Sequence, residues 1–301
     1  MRLPPEVCLR EVAPRDGFQS LERFVSTRHK LEVIGAIRAA GVNEIEATSF
    51  VSPRAVPQMR DAADVMAAVP RDGAVYGALV PNLAGAEKGL AAGAGQLVVV
   101  VSASEAHNRE NLRCGIAESI AGLDVIFACA ARQCVPVIGA VAVSFGCPYQ
   151  GAVPEEDVMG VAAAHVQKGA AALMLADTAG MATPIRVQRL AALARERFPG
   201  TRLIFHFHNN RGTAMANLLA ALDAGVTDFD TALGGIGGCP FVPRAAGNLA
   251  TEDVVYMLED MGVRTGIDLE TLVQAACRLE EIIGVTLPGQ VMKSGAGRCG
   301  G

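Results

Sequence analysis

Residues 172–233 read ALMLADTAGMATPIRVQRLAALARERFPGTRLIFHFHNNRGTAMANLLAALDAGVTDFDTAL. Short apolar or β-branched runs at 172–177, 202–208 and 228–233 alternate with Ala- and Leu-rich stretches of helical period. The first helical stretch opens on Thr183-Pro184, a cap followed by a first-turn proline, and the second stops at Gly225. Strand, helix and strand joined by short connections make a βαβ unit, whose strands lie parallel. Outward from this stretch the same alternation gives strands at 7–12, 43–47, 75–80, 96–102 and 136–144, eight in all. Ser26-Thr27 opens a helix over 28–40, Pro154 opens one through Val158, and Gly41, Gly93 and Gly169 are further stops. Several strands are apolar throughout, as expected where both faces of a sheet are covered. An eightfold repeat without a break in composition predicts an α/β fold, a closed (β/α)8 TIM barrel forming one catalytic domain over 1–301. The barrel should span about 6–262. Two or three helices follow the eighth strand from about 251 to 283, those past 262 being extra C-terminal helices, before a Gly-rich tail, SGAGRCGG, expected to be mobile.

Composition agrees. With 51% hydrophobic and 19% charged residues in 301, the chain can bury a large core, which excludes disorder as its main state. A net charge of -5 with no basic run offers no footprint for nucleic acid or an anionic membrane. No apolar run reaches the roughly 18 residues of a membrane span, and MRLPPEVCLREV lacks a signal-peptide pattern, so the expected location is cytoplasmic. Eight cysteines without a CxxC pair fit neither a zinc ribbon nor a disulfide scaffold, and most are expected to be reduced core thiols.

In such a barrel the working face is the carboxyl end of the strands. There the chain places Arg15-Asp16, Glu46 with Thr48-Ser49, residues 102–107, Cys147-Pro148-Tyr149, Asp177-Thr178, His206-Phe207-His208 and the glycines leading to Cys239. Residues two apart on a strand share a face, so His206 and His208 can reach one ion. Asp16 and the Asn248 amide are the oxygen donors available at neighbouring strand ends. Two nitrogens and two oxygens, completed by water or substrate, suit a six-coordinate divalent ion such as Mg²⁺ or Mn²⁺ better than closed structural zinc. The alternative is a pair of histidines satisfied by hydrogen bonds. Cys239, within GGIGGCP, can swing over a substrate and donate a proton to a carbanion, the alternative being a small buried hydrophobe. Cys147 reads as structural. Arg15 is either a simple ion-pair partner of Asp16 or a guanidinium placed to stabilise a developing enolate. GGIGG lacks the context of a dinucleotide fingerprint and no Walker A sequence occurs, so nicotinamide and nucleoside triphosphate cofactors are not expected.

The blocks EVAPRDGFQS, IEATSFVSPRAVPQM, SASEAHNRENLRCGIAES, GCPYQG, LADTAGMATP, HFHNNRGTAMANLLAALDAGV and GGIGGCPFVPRAAGNLATEDVVYML together resemble the hydroxymethylglutaryl-CoA lyase family. That family belongs to the metal-dependent barrel lyases and acyl-CoA condensing enzymes. The resemblance covers nearly the whole chain and implies a (β/α)8 barrel cleaving 3-hydroxy-3-methylglutaryl-CoA to acetyl-CoA and acetoacetate. It implies Asp16, His206, His208 and Asn248 as ligands of Mg²⁺ or Mn²⁺, Arg15 and Cys239 as catalytic residues, Glu46 as their support and Asp177 as an acid/base group. Arg15, Gln19, Ser49, Asn111 and Tyr149 are the expected contacts to the acyl-CoA. Three positions depart from the family pattern: Met174 replaces a common Ser, Asn209-Asn210 replaces Asp-Thr, and Glu22 beside Arg23 stands where a Lys is expected. The first two should bear on which acyl-CoA is accepted. Three other readings stay open: a lyase for another 3-hydroxy acyl-CoA such as citramalyl-CoA, a condensing synthase of the isopropylmalate or homocitrate kind, and a non-catalytic metal-binding barrel. A homodimer is the default assembly.

Overall fold

The computed structural model describes residues 3–238 and 247–295. Eight parallel strands, β1 (Cys8–Glu11), β2 (Glu44–Ser49), β3 (Val75–Leu79), β4 (Gln96–Ser102), β5 (Val137–Ala142), β6 (Ala172–Asp177), β7 (Arg202–Phe207) and β8 (Asp228–Thr231), follow one another around a closed barrel. β1 closes the ring on β8, with Arg10 opposite Asp230. Every strand expected from sequence is present, with half of the ends one or two residues inside the expected bounds and β2 running two residues further, to Ser49. His208, read as the end of β7, lies just past it and forms an isolated antiparallel bridge with Asn248.

The outer layer consists of α1 (Thr27–Ala39), α2 (Ala62–Ala68), α3 (Leu83–Ala91), α4 (Glu105–Leu112), α5 (Ile116–Ala131), α6 (Glu155–Gln167), α7 (Pro184–Arg197), α8 (Ala214–Asp223) and α9 (Thr251–Asp260). Beyond the barrel, α10 (Leu269–Ile283) packs against α1 and α9, and α11 (Val291–Ser294) against α9 and α10. Ser26 and Asn82 cap α1 and α3 by accepting the backbone N–H of His29 and Gly85. At the other ends Gly41, Gly93, Gly169 and Gly225 all adopt positive φ, the left-handed turn that stops a helix. The segment after β4, placed at the working face from sequence, is not an open loop. It holds α4, capped by Ser104 and ended by Arg113 in a left-handed conformation. Among the described residues no single helix is long and apolar enough to cross a membrane. The last six residues of the SGAGRCGG tail fall outside the described residues.

The barrel interior has two unlike walls. Val98, Ile138, Ala140, Ala172, Met174 and Ile204 form an apolar wall along β4 to β7. Cys8, Arg10, Glu44, Glu46, Arg202, Asp228 and Asp230 line the other, from β7 through β8 and β1 to β2. Buried charges persist only when paired, and here they are joined in one chain of ion pairs.

Candidate metal centre and active site

After β1 the chain APRDG winds into a single π-helical turn, Ala13–Gly17, in which Phe18 N–H reaches the Ala13 carbonyl. This turn sets Arg15 and Asp16 side by side at the barrel rim, with Arg15 Nη1 donating to Asp16 Oδ1 at 2.5 Å. Single π turns recur at functional sites because the extra residue redirects side chains that an α turn would align differently. Asp16 Oδ2 lies 3.4 Å from His208 Nε2 and accepts from Asn248 Nδ2 at 2.8 Å. The His206 and His208 rings face each other edge-on with centroids 4.8 Å apart. One donor atom each from Asp16, His206 and His208 lies within 4.8 Å of the other two. The structure therefore gathers all four residues that the sequence suggested as ligands.

The donor set fits a divalent ion. His206 Nδ1 is 3.1 Å from Asp230 Oδ2 and His208 Nδ1 is 3.2 Å from the Asp177 carbonyl. Each imidazole thus gives its Nδ1 proton to an oxygen and turns the Nε2 lone pair inward, the arrangement that orients histidine ligands in metal sites. Burial opposes charge on Asp230, yet Arg10 and His206 hold its carboxyl below the ordinary range, so it stays an acceptor. Burial likewise opposes charge on Asp16, and the Arg15 guanidinium overcomes it, keeping that carboxyl well below its usual value. Along the connected ion-pair chain the carboxylates Asp16, Glu44, Glu46, Asp228 and Asp230 outnumber Arg10, Arg15 and Arg202 by five to three. The surplus of two negative charges matches one divalent cation.

Arg15 is buried, and its Nε donates to Glu46 Oε1 from a position fixed by the π turn. Glu46 is fully buried, so Arg15 is held rather than free to swing. Glu11, whose carboxyl is pushed by burial to about 7, accepts from Ala13 N, Leu233 N and Thr251 Oγ1, fastening the turn after β1 to the loop after β8. Gly237, with φ +133°, sits so close to Asn248 and Asp16 that a Cβ there would overlap the Asn248 amide. Gly237 is thus explained by backbone approach to Asn248 and Asp16, whereas Gly234 and Gly235 leave no room for a side chain against Leu287 and Pro288. Cys239 lies outside the described residues. On either side of it Gly237 touches the centre and Gly247 accepts the backbone N–H of Asn209 at 2.8 Å.

The other expected residues divide. Ser49 Oγ and Gln19 Oε1 are buried without a partner among the described residues, leaving hydrogen-bonding capacity at the rim. Asn111 on α4 is exposed, and Tyr149 is 45% exposed with its ring 6.2 Å from that of His107. Asp177 lies at the end of β6 with its carboxylate accepting the backbone N–H groups of Met181 and Ala182, and burial raises its pKa. Cys147 Sγ accepts from Ser104 Oγ and Tyr149 N. Two departures from the family pattern also find their place: Met174 is a member of the apolar wall, and Asn209 Oδ1 accepts from Ala214 N at the start of α8. Sequence reading missed Arg10, Glu11, Glu44 and Asp230. The available signal was Asp228 and Asp230 at strand spacing in a strand expected to be buried.

A cavity of about 690 Å³ lined by Glu6, Arg264 and Asp268 lies by the amino-terminal side of β1, not among the metal-directed residues. The family model described as HMGL-like matches residues 6–278. The chain is 41% identical to Hydroxymethylglutaryl-CoA lyase YngG of Bacillus subtilis, over 98% of this chain and 100% of the relative. It is 39% identical to the 3-hydroxy-3-isohexenylglutaryl-CoA/hydroxy-methylglutaryl-CoA lyase of Pseudomonas aeruginosa, over 94% and 95%. The solved HMG-CoA lyase of Acinetobacter baumannii in complex with coenzyme A and 3-methylmalate superposes with a TM-score of 0.94 at 40% identity, covering 97% of this chain and 95% of that one. Together with the closed barrel, these matches show that the chain belongs to the HMG-CoA lyase family.

Proposed function

We propose that this protein is a carbon-carbon lyase that cleaves 3-hydroxy-3-methylglutaryl-CoA to acetyl-CoA and acetoacetate. The observation that carries the reading is the convergence of Asp16, His206 and His208 on one point beside a clamped Arg15, in a chain whose relatives bear that lyase name over their full length. Asp16, His206, His208 and Asn248 would hold Mg²⁺ or Mn²⁺. When bound, such an ion supplies Lewis-acid polarisation of substrate oxygens.

The chain's own residues supply the rest. Asp177, whose burial raises its pKa, takes the proton of the 3-hydroxyl. The bond between C2 and C3 breaks, its electron pair moves into the thioester, and acetoacetate is left as the other half. Arg15, locked by Glu46 and Asp16, presents its guanidinium to the enolate oxygen, where a preorganised charge is worth most. Cys239 gives its proton to C2, completing acetyl-CoA, and is reprotonated at the expense of Asp177 through solvent. Ser49 and Gln19 are assigned the polar groups of the acyl chain, and Tyr149 and Asn111 the outer part of the CoA ester. Six described cysteines are unpaired, in keeping with residence in a reducing cytoplasm, and the assembly is taken as a homodimer.

The test is to incubate the purified chain with 3-hydroxy-3-methylglutaryl-CoA and Mn²⁺ or Mg²⁺ and assay acetoacetate. Turnover should vanish on chelation and return with added ion; cleavage untouched by chelator would remove the metal from the reading. Cys239→Ala should lower kcat by about 10²-fold or more while Mn²⁺ affinity stays within twofold, as expected for loss of a proton donor. Unchanged turnover would take Cys239 out of the reaction. A second acyl group is favoured by the dual name of the Pseudomonas relative and by Met174 in the apolar wall, and a panel of branched 3-hydroxyglutaryl-CoA esters separates the two.

A further inference from the structure

Arg10 takes no part in the reaction as written, yet it is 1% exposed at the centre of the charged wall. Its Nη1 donates to Asp230 Oδ1 at 2.5 Å, and the second oxygen of the same carboxylate faces His206 Nδ1 at 3.1 Å. Its Nη2 is 3.6 Å from Glu46 Oε2, and the second oxygen of that carboxylate takes Arg15 Nε. Asp230 therefore hydrogen-bonds Arg10 with one oxygen and His206 with the other, whereas Glu46 hydrogen-bonds Arg15 with one oxygen and faces Arg10 with the other by charge alone, that oxygen having no hydrogen-bond partner. Gln96 Oε1 on β4 accepts from Nη2 at 3.4 Å, and Glu44 Oε2 on β2, 3.3 Å from Nε, adds a charge contact without a hydrogen bond.

We propose that Arg10 is a positioning residue that ties the metal-directed imidazole of His206 to the enolate-directed guanidinium of Arg15. A planar guanidinium spans both carboxylates, hydrogen-bonding Asp230 and lying close enough to Glu46 to offset its charge, whereas an ammonium at the same depth is a point charge that reaches one. With a neutral side chain, Asp230 and Glu46 lose the cation they share and repel one another in a dry interior. Both then lean away from their upper partners, so ion affinity and transition-state stabilisation fall together although Arg10 touches neither ion nor substrate.

Only the turnover part of this proposal rests on the lyase reading. Arg10→Met and Arg10→Lys are compared with the parent by Mn²⁺ calorimetry, the electron paramagnetic resonance spectrum of bound Mn²⁺, and steady-state cleavage. R10M should bind Mn²⁺ about tenfold more weakly, within the 10- to 100-fold range for lost outer-shell partners, with kcat down about 10²-fold. R10K should recover Mn²⁺ affinity to within threefold, through Asp230, while kcat stays at least tenfold low because Glu46 is no longer held. A folded R10M with both quantities within twofold of the parent overturns the proposal. So do Mn²⁺ losses for R10M and Asp230→Asn that add fully in the double variant, since the route to His206 runs through Asp230. If R10M does not fold, R10K decides, and a parental kcat there overturns it. If the parent binds Mn²⁺ but cleaves no acyl-CoA, the lyase reading falls alone and the R10M titration still settles the role of Arg10.

Discussion

Gly237 shows how little room the centre leaves. Any side chain there would overlap the Asn248 amide, and φ +133° is strained for every residue with a Cβ. Gly237→Ala should cost about 1–3 kcal/mol in unfolding free energy, the usual range for such strain. It should also weaken Mn²⁺ by at least about tenfold, as loss of ligand orientation does; titration giving parental affinity would mean that Asn248 is no ligand. At this scale the residues proposed as ligands were legible and their supports were not. His206 and His208 announce a shared face through their spacing alone. Arg10 and Asp230 stand 220 residues apart, and nothing local to either says that the two will meet.

Among the elements, the glycine stops and the Ser26 cap translated directly, because each acts within one turn of its own position, whereas Thr183 stands at the start of α7 without a side-chain capping hydrogen bond. Gly93, for example, gives its N–H to the Leu90 carbonyl and is followed by Ala94 donating to Gly89, which closes α3 locally before Arg71 adds its guanidinium to the Ala92 and Gly93 carbonyls. The start of α3 depends on Asn82 Oδ1 accepting from Gly85 N at 3.0 Å. Asn82→Ala should destabilise the protein by about 1 kcal/mol, seen as a lower denaturant midpoint at constant m-value. A neutral result would assign the cap to solvent. α4 escaped notice for a physical reason: EAHNRENL carries no apolar stripe, and Arg113, not glycine, takes the left-handed position that ends it. The π turn at Ala13–Gly17 was equally hidden, since Pro14 and Gly17 read as an ordinary loop.

For the molecule as a whole, stability should depend on pH through His165, wholly buried on α6 with its ring where a Cβ of Gly139 would lie. Burial pushes its pKa down from 6.5 to about 4. Above pH 6.5 the imidazole is neutral in both folded and unfolded chains and contributes no pH dependence. Between 6.5 and 4 only the unfolded chain takes the proton, so the contribution of His165 to stability falls by about 2 kcal/mol on going from pH 7 to pH 5. The Glu11 carboxyl, raised to about 7, acts in the opposite sense, so His165 is read from the difference between parent and variant. Urea unfolding of the parent and of His165→Leu at both pH values checks this; an equal drop in the two proteins would place the titrating group elsewhere. The eightfold architecture was plain from sequence because each unit repeats one local pattern, whereas the division of the interior into charged and apolar walls emerges only when the ring closes. Asp16 follows the first strand, while His206, His208 and Asn248 arrive with or after the seventh. They straddle the seam where β1 meets β8. On the proposed ligand set, a chain emerging from the ribosome would have no place for the cation until its last barrel strand is made, so that metal uptake would be a terminal event of maturation and would certify that the ring has shut.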